Sequence, residues 1–141
     1  MKERFTVGMA RNIFYGGGVF FFLVFVGLSF GTVRDLPKRD NSQNLTPQVA
    51  MGKKVWEENN CIGCHSLLGE GAYFAPELGN VYLRRGPDFI KSWIQSQPTE
   101  VAGRRQMPQF NLSEAELDAV VAFLKYTSGI DTANWPPNIE G

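Results

Sequence analysis

Charge is absent from Ile13 to Val33 (IFYGGGVFFFLVFVGLSFGTV), twenty-one consecutive residues. The run is apolar all round, as suits contact with lipid on most sides. As a helix it spans roughly 31 Å, about one hydrocarbon core, so a single permanent membrane anchor is expected. A cleaved leader competes with this reading, because Ser29-Phe30-Gly31 passes as a small-x-small cleavage site. The apolar core of such a leader is ordinarily about 7–15 residues, shorter than this run. Gly27 and Gly31 form a G-x-x-x-G pair, and Gly16-Gly17-Gly18 flatten the other end. Small residues so placed allow close helix contact in lipid.

Beyond the anchor the pattern changes. Residues 34–45 (RDLPKRDNSQNL) are polar, contain a proline and lack an apolar period, which predicts a linker. Thr46-Pro47 then supplies an N-cap and a proline at the first helical position. Val49, Gly52, Val55 and Trp56 mark one buried face of the helix that follows. Gly52 on that face costs helix propensity, which a close approach by another helix would explain. A shorter helix is expected over Asp88–Gln97 (DFIKSWIQSQ), before Pro98. Ser113-Glu114-Ala115-Glu116 is a capping box, and Leu117, Val120, Val121 and Leu124 recur at helical intervals until Gly129. Phe123 and Tyr126 add aromatic bulk beside that stripe. No stretch alternates as a strand would, and no repeat is visible. The expected class is all-α, divided as follows: 1–33 an N-terminal segment with the transmembrane anchor, 34–45 a linker, and 46–141 one domain with a C-terminal extension.

The chemistry is concentrated in Cys61-Ile62-Gly63-Cys64-His65. Two thiols two residues apart, followed at once by a histidine, form the attachment pattern of c-type haem. Cys61 and Cys64 are the only cysteines and His65 the only histidine. A structural zinc site wants four Cys/His ligands, and a thioredoxin-like pair needs a βαβ context; neither is present. A covalent haem would also fill a core too small to be stable alone. One histidine excludes bis-histidine ligation within the chain, which leaves methionine as the sixth ligand. Met1 and Met9 precede the anchor, and Met51 sits on the cysteine-leading helix. Met107, forty-two residues after His65 and followed by Pro108, is the remaining candidate. A thioether ligand raises the iron potential. A His/Met iron is six-coordinate, which favours electron transfer over catalysis.

Charge adds limits. The chain carries 14 Lys+Arg and 14 Asp+Glu, giving no electrostatic case for nucleic acid. Residues 34–141 hold eleven Lys/Arg against thirteen Asp/Glu, a net −2, so any docking patch is local. Three basic residues precede the anchor (Lys2, Arg4, Arg11) and three follow it (Arg34, Lys38, Arg39), so the positive-inside rule abstains. Attachment of c-haem outside the bacterial cytoplasmic membrane instead predicts a periplasmic C-terminal side. Arg84-Arg85 and Arg104-Arg105 are candidates for neutralising propionates or docking an acidic carrier. Glu57-Glu58 reads as a solvated helix face. No carboxylate pair or nucleophile–base set points to catalysis within the chain.

These features resemble a class I cytochrome c domain, which implies helices around one haem with the first and last crossing. The crossing would set Gly52 and Trp56 against Val120, Phe123 and Tyr126. The segment Asn59–Leu78, with Val81-Tyr82-Leu83-Arg84-Arg85-Gly86, the stretch Arg104–Phe110 and the tail Asp131–Pro137, is similar to the cytochrome c subunit of bacterial nitric oxide reductases. The Leu67–Pro76 extension and the Trp-Pro-Pro tail are the selective parts. The resemblance implies electrons taken from a periplasmic donor (a small cytochrome c or cupredoxin). They would pass to a large polytopic subunit with haem b and non-haem iron, which makes nitrous oxide and water from nitric oxide. It implies Cys61 and Cys64 as covalent haem ligands and His65 and Met107 as axial ligands. It also implies a calcium ion at the subunit interface, with backbone carbonyls of Gly71 and Tyr73 as ligands, a donor type that suits a hard cation. Trp135, Pro136, Pro137 and the Gly71–Pro76 loop would be contact surfaces. The alternatives are a free, membrane-anchored cytochrome c shuttling electrons to an oxygen reductase, and a haem sensor or peroxidase in which Met107 dissociates.

Overall fold

Twenty-nine residues, Val7–Asp35, form the first helix, α1. A computed structural model describes residues 5–99 and 106–135. The Thr6 hydroxyl caps α1 by accepting from the Met9 amide. The Thr32 hydroxyl donates to the Leu28 carbonyl at 3.0 Å, so this polar group in the apolar run is satisfied within the helix. No residue of α1 is buried, and the helix is long and apolar enough to cross a membrane. A Cβ added at Gly27 or Gly31 would meet nothing within 4 Å.

The chain divides into two compact units, residues 1–38 and 39–141. The second contains α2 (Pro47–Glu58), α3 (Val81–Gln95) and α4 (Glu114–Ser128). Thr46 caps α2 by accepting from the Val49 amide. Ser113 and Glu116 form a reciprocal capping box on α4, which satisfies two otherwise orphaned donors. Val49, Gly52, Val55 and Trp56 of α2 are buried against α4, which contributes Leu117, Val120, Phe123 and Leu124. A Cβ on Gly52 would lie 1.9 Å from the Ala119 carbonyl oxygen, so the close crossing is the reason for glycine there. Trp56 and Phe123 meet with ring centroids 6.0 Å apart. Burying each large apolar side chain of this interface contributes about 1.5–3 kcal/mol.

Three features differ from the sequence expectation. In α3 the expected helix after Pro87 is preceded by an unforeseen helical turn over Val81–Arg85, and Gly86 (φ 76°, ψ 168°) breaks the helix between the two. Its first turn precedes the punctuation that made the segment look like loop. A two-residue hairpin pairs β1 (Ser66–Leu67) antiparallel with β2 (Glu70–Gly71), too short to produce visible alternation. Residues 39–41, inside the polar stretch, are packed into the second unit. The Tyr126 hydroxyl donates to the Asp40 carbonyl at 3.1 Å, and the Asn41 amide donates to the Tyr126 carbonyl at 2.9 Å. Asn41 is buried in the left-handed region, φ 57°. The Asp131 amide donates to the Arg39 carbonyl at 2.9 Å.

Candidate functional site

Where α2 ends, Asn59 closes it with its side-chain amide on the Val55 carbonyl, 2.8 Å. Asn60 then turns left-handed (φ 50°, ψ 39°) and starts a 3-10 turn over Cys61–Gly63. Asparagine tolerates that conformation better than most residues. The Cys64 and His65 amides both donate to the Cys61 carbonyl, at 3.2 and 3.0 Å. This tight turn brings the thiols and the imidazole to one place: Cys61, Cys64 and His65 line a cavity of about 500 Å³. A second cavity of about 380 Å³, walled by apolar side chains such as Trp56, Leu78, Phe89 and Ile94, shares Cys61, His65, Met107 and Phe110 with the first.

Both thiols are free. Burial pushes the Cys61 thiol up to about 11, so it is protonated at neutral pH. His65 Nδ1 lies 2.8 Å from the Pro76 carbonyl oxygen. A carbonyl only accepts, so this contact assigns the proton to Nδ1 and leaves Nε2 with its lone pair. Burial lowers the His65 pKa, opposed by the Pro76 bond and the charge of Glu77. The ring is thus a neutral donor held by its other nitrogen, the usual arrangement of a ligating histidine.

Met107 comes from the irregular segment before α4 and is partly buried against the core. Gln109 holds that segment in place, donating to the carbonyls of Gln95 (2.8 Å) and Gln97 (3.0 Å) at the end of α3. Met51 lines neither cavity and is exposed.

Arg84 and Arg85 both line the apolar cavity. Arg84 donates to Asn80 Oδ1 and to the Glu77 carbonyl, each at 2.7 Å. Burial lowers its pKa, helped by Arg85 and opposed by Glu77. The Arg85 guanidinium lies 5.3 Å from the Phe89 ring centroid. Arg104, Arg105, Pro136 and Pro137 lie outside the described residues. Gly71 (φ 117°) ends β2 and Tyr73 stands in the loop just after it, both exposed, and Trp135 packs 3.7 Å from where a Cβ on Gly69 would be. Among the described residues no three His, Cys, Asp or Glu side chains gather as a metal site. Pro76 and Glu77 are central to this geometry, yet nothing in the sequence assigns either a part in holding His65; an isolated proline and carboxylate in a loop carry no periodic signal.

A helical domain that closes an apolar cavity over Cys-x-x-Cys-His and a methionine defines a cytochrome c, and the cytochrome c family matches residues 49–128. The C subunit of nitric oxide reductase from Stutzerimonas stutzeri is 60% identical over the full length of both chains. The proteins of the same name from Paracoccus denitrificans and Halomonas halodenitrificans are 50% and 44% identical, again over both full lengths. The chain belongs to the family of nitric oxide reductase C subunits.

A cytochrome c domain implies covalently bound haem, and the donor set fits that group. Two free thiols suit addition to vinyl groups, Nε2 is unprotonated, a thioether shares both cavities, and the walls are apolar.

Proposed function

We propose that this chain is the electron-transfer subunit of a membrane nitric oxide reductase. It takes electrons from a periplasmic donor and delivers them to a polytopic catalytic subunit, where two nitric oxide molecules become nitrous oxide and water. The observation that carries the reading is that His65 and Met107, from segments forty-two residues apart, line the same two joined cavities as Cys61. In this reading Cys61 and Cys64 would hold the haem covalently, and His65 Nε2 and the Met107 thioether would ligate its iron. When bound, the haem supplies a one-electron iron couple whose potential the thioether raises. Trp56, Leu78, Phe89 and Ile94 exclude water from its surroundings, and Pro76 fixes the proton on Nδ1. With His65 and Met107 both on the iron, no site would be left there for substrate.

The division into an N-terminal anchor and a periplasmic domain belongs to the same proposal, with the polar stretch from Arg39 onward counted in the domain rather than as linker. It is supported by the length and apolarity of α1. A calcium ion held by the Gly71 and Tyr73 carbonyls at the contact with the catalytic subunit completes it. The exposure of both residues, two apart at the end of β2, supports that placement.

The test is to solubilise membranes mildly, purify through a tag on this chain, and measure nitric oxide consumption by the eluate. Turnover with haem b co-eluting with haem c is expected. An intact preparation with haem c alone and no turnover overturns the proposal in favour of a tethered shuttle.

A further inference from the structure

The loop between His65 and α3 is closed by one carboxylate. Glu77 Oε1 accepts from the Leu68 amide and from the Gly79 amide, both at 2.8 Å. The Leu78 amide donates to the Ser66 carbonyl at 2.9 Å, and Arg84 holds the Glu77 carbonyl at 2.7 Å. These bonds bracket Pro76, whose carbonyl oxygen sits on His65 Nδ1. Two details indicate that the bridge is built into the loop. Leu68 is held at φ 53°, a region leucine avoids unless its surroundings impose it. At Gly79 a Cβ would lie 2.8 Å from Glu77 Oε1 and 3.1 Å from the Leu68 side chain, so a larger residue would crowd the bridge. Glu77 Oε2 is buried and has no hydrogen-bond partner among the described residues. Burying a carboxylate oxygen is costly, which the two short bonds to Oε1 help to offset.

We propose that Glu77 is a positioning residue: by bridging the Leu68 and Gly79 amides it keeps the Pro76 carbonyl on His65 Nδ1, and so sets the orientation and donor strength of that imidazole. The idea rests on the haem reading above, but its core is a relation among this chain's own residues. Outer partners of a ligating histidine fix its tautomer and raise its basicity. A loosened Pro76 bond leaves the ring a weaker donor, which favours the reduced iron and raises the reduction potential.

The single histidine makes the test selective. The full-length, haem-loaded chain is prepared in detergent with ¹⁵N-histidine and a tag lacking histidine. Solvent exchange of the one Nδ1–H is then measured in the reduced state. Glu77→Asp keeps the charge but is one methylene too short to reach both amides. It is expected to speed that exchange about tenfold, the order lost with one hydrogen bond, and to shift the potential upward. Glu77→Gln keeps an oxygen at the bridging position and is expected to exchange within about twofold of wild type. A wild-type exchange rate in Glu77→Asp overturns the proposal. So does equal acceleration in both variants, because the bridging oxygen that Glu77→Gln keeps would then not be what holds the loop. Equal acceleration of the α4 core amides with Nδ1–H also overturns it, as general loosening. Should Glu77→Asp fail to accumulate, fast exchange in Glu77→Gln still overturns the proposal and slow exchange supports it. Failure of the wild-type chain to attach haem would instead sink the haem reading, so the two failures are distinct.

Discussion

Gly52 and Ala119 approach so closely that a single methyl group on Gly52 would fall 1.9 Å from the Ala119 carbonyl oxygen. The obstacle is backbone, which cannot rotate aside as a side chain can. Alanine is the better helix former by about 1 kcal/mol, yet here Gly52→Ala forces α2 and α4 apart. The expected loss is about 3 kcal/mol, the upper end for overpacking, read as a lower denaturant midpoint of the haem-loaded chain. An unchanged midpoint would mean the crossing is looser than described.

Met107 offers a test of the iron's closed coordination. Met107→Ala removes the thioether from both cavities, and the reduced variant is expected to bind carbon monoxide, read as a shift of the main haem absorption band. The wild-type chain is expected not to bind it. Equal binding by the two would remove Met107 from the ligand set.

Asn41 locks the polar segment onto the last helix. Its side chain donates to the Tyr126 carbonyl at 2.9 Å and accepts from Asn44 at 2.6 Å, at a positive φ that disfavours alanine. Asn41→Ala is expected to cost about 1–3 kcal/mol. Faster hydrogen exchange should be confined to residues 39–45 and the end of α4. Gly129→Ala should reproduce it, because its Cβ would lie 2.6 Å from Asn41 Nδ2. Exchange spreading to α2 in either variant would refute a local lock.

The capping box of α4 makes stability depend on pH. The Ser113 hydroxyl and amide donate to Glu116 at 2.7 and 2.8 Å and hold its pKa below the ordinary 4.5. A depressed carboxylate contributes fully above its unfolded value and loses that contribution as pH falls through the folded value. Wild type should therefore exceed Glu116→Gln in stability above about pH 5 and converge with it in stronger acid. Denaturation at several pH values checks this, and a constant difference would refute it.

The helical frame was legible because α2 and α4 carry long apolar faces at three- and four-residue spacing, and because a glycine in the middle of one face had to mean contact. The turn Val81–Arg85 was not, since it is a single short helical turn cut off by the break at Gly86, too brief to show a period. The hairpin Ser66–Gly71 is shorter than any period. In the site, Cys61, Cys64 and His65 announce themselves by adjacency, and Met107 stood out by exclusion. Pro76, Glu77 and Asn41 act through partners distant in sequence: Pro76 and His65 are eleven residues apart, and Asn41 and Tyr126 eighty-five. Single polar residues in loops leave no local pattern from which such pairings can be read.

The bond between the Asp131 amide and the Arg39 carbonyl, with the Arg39–Asp131 ion pair at 3.6 Å beside it, also has a mechanical meaning. It buttons together two points ninety-two residues apart in the chain, with α2, the cysteine turn and α4 all enclosed in the loop between them. Tension arriving along the backbone at Arg39 is handed directly to Asp131. A pull from that side meets this button before it meets the cysteine turn, as it meets the clamp at the neck of a plug before the contacts inside.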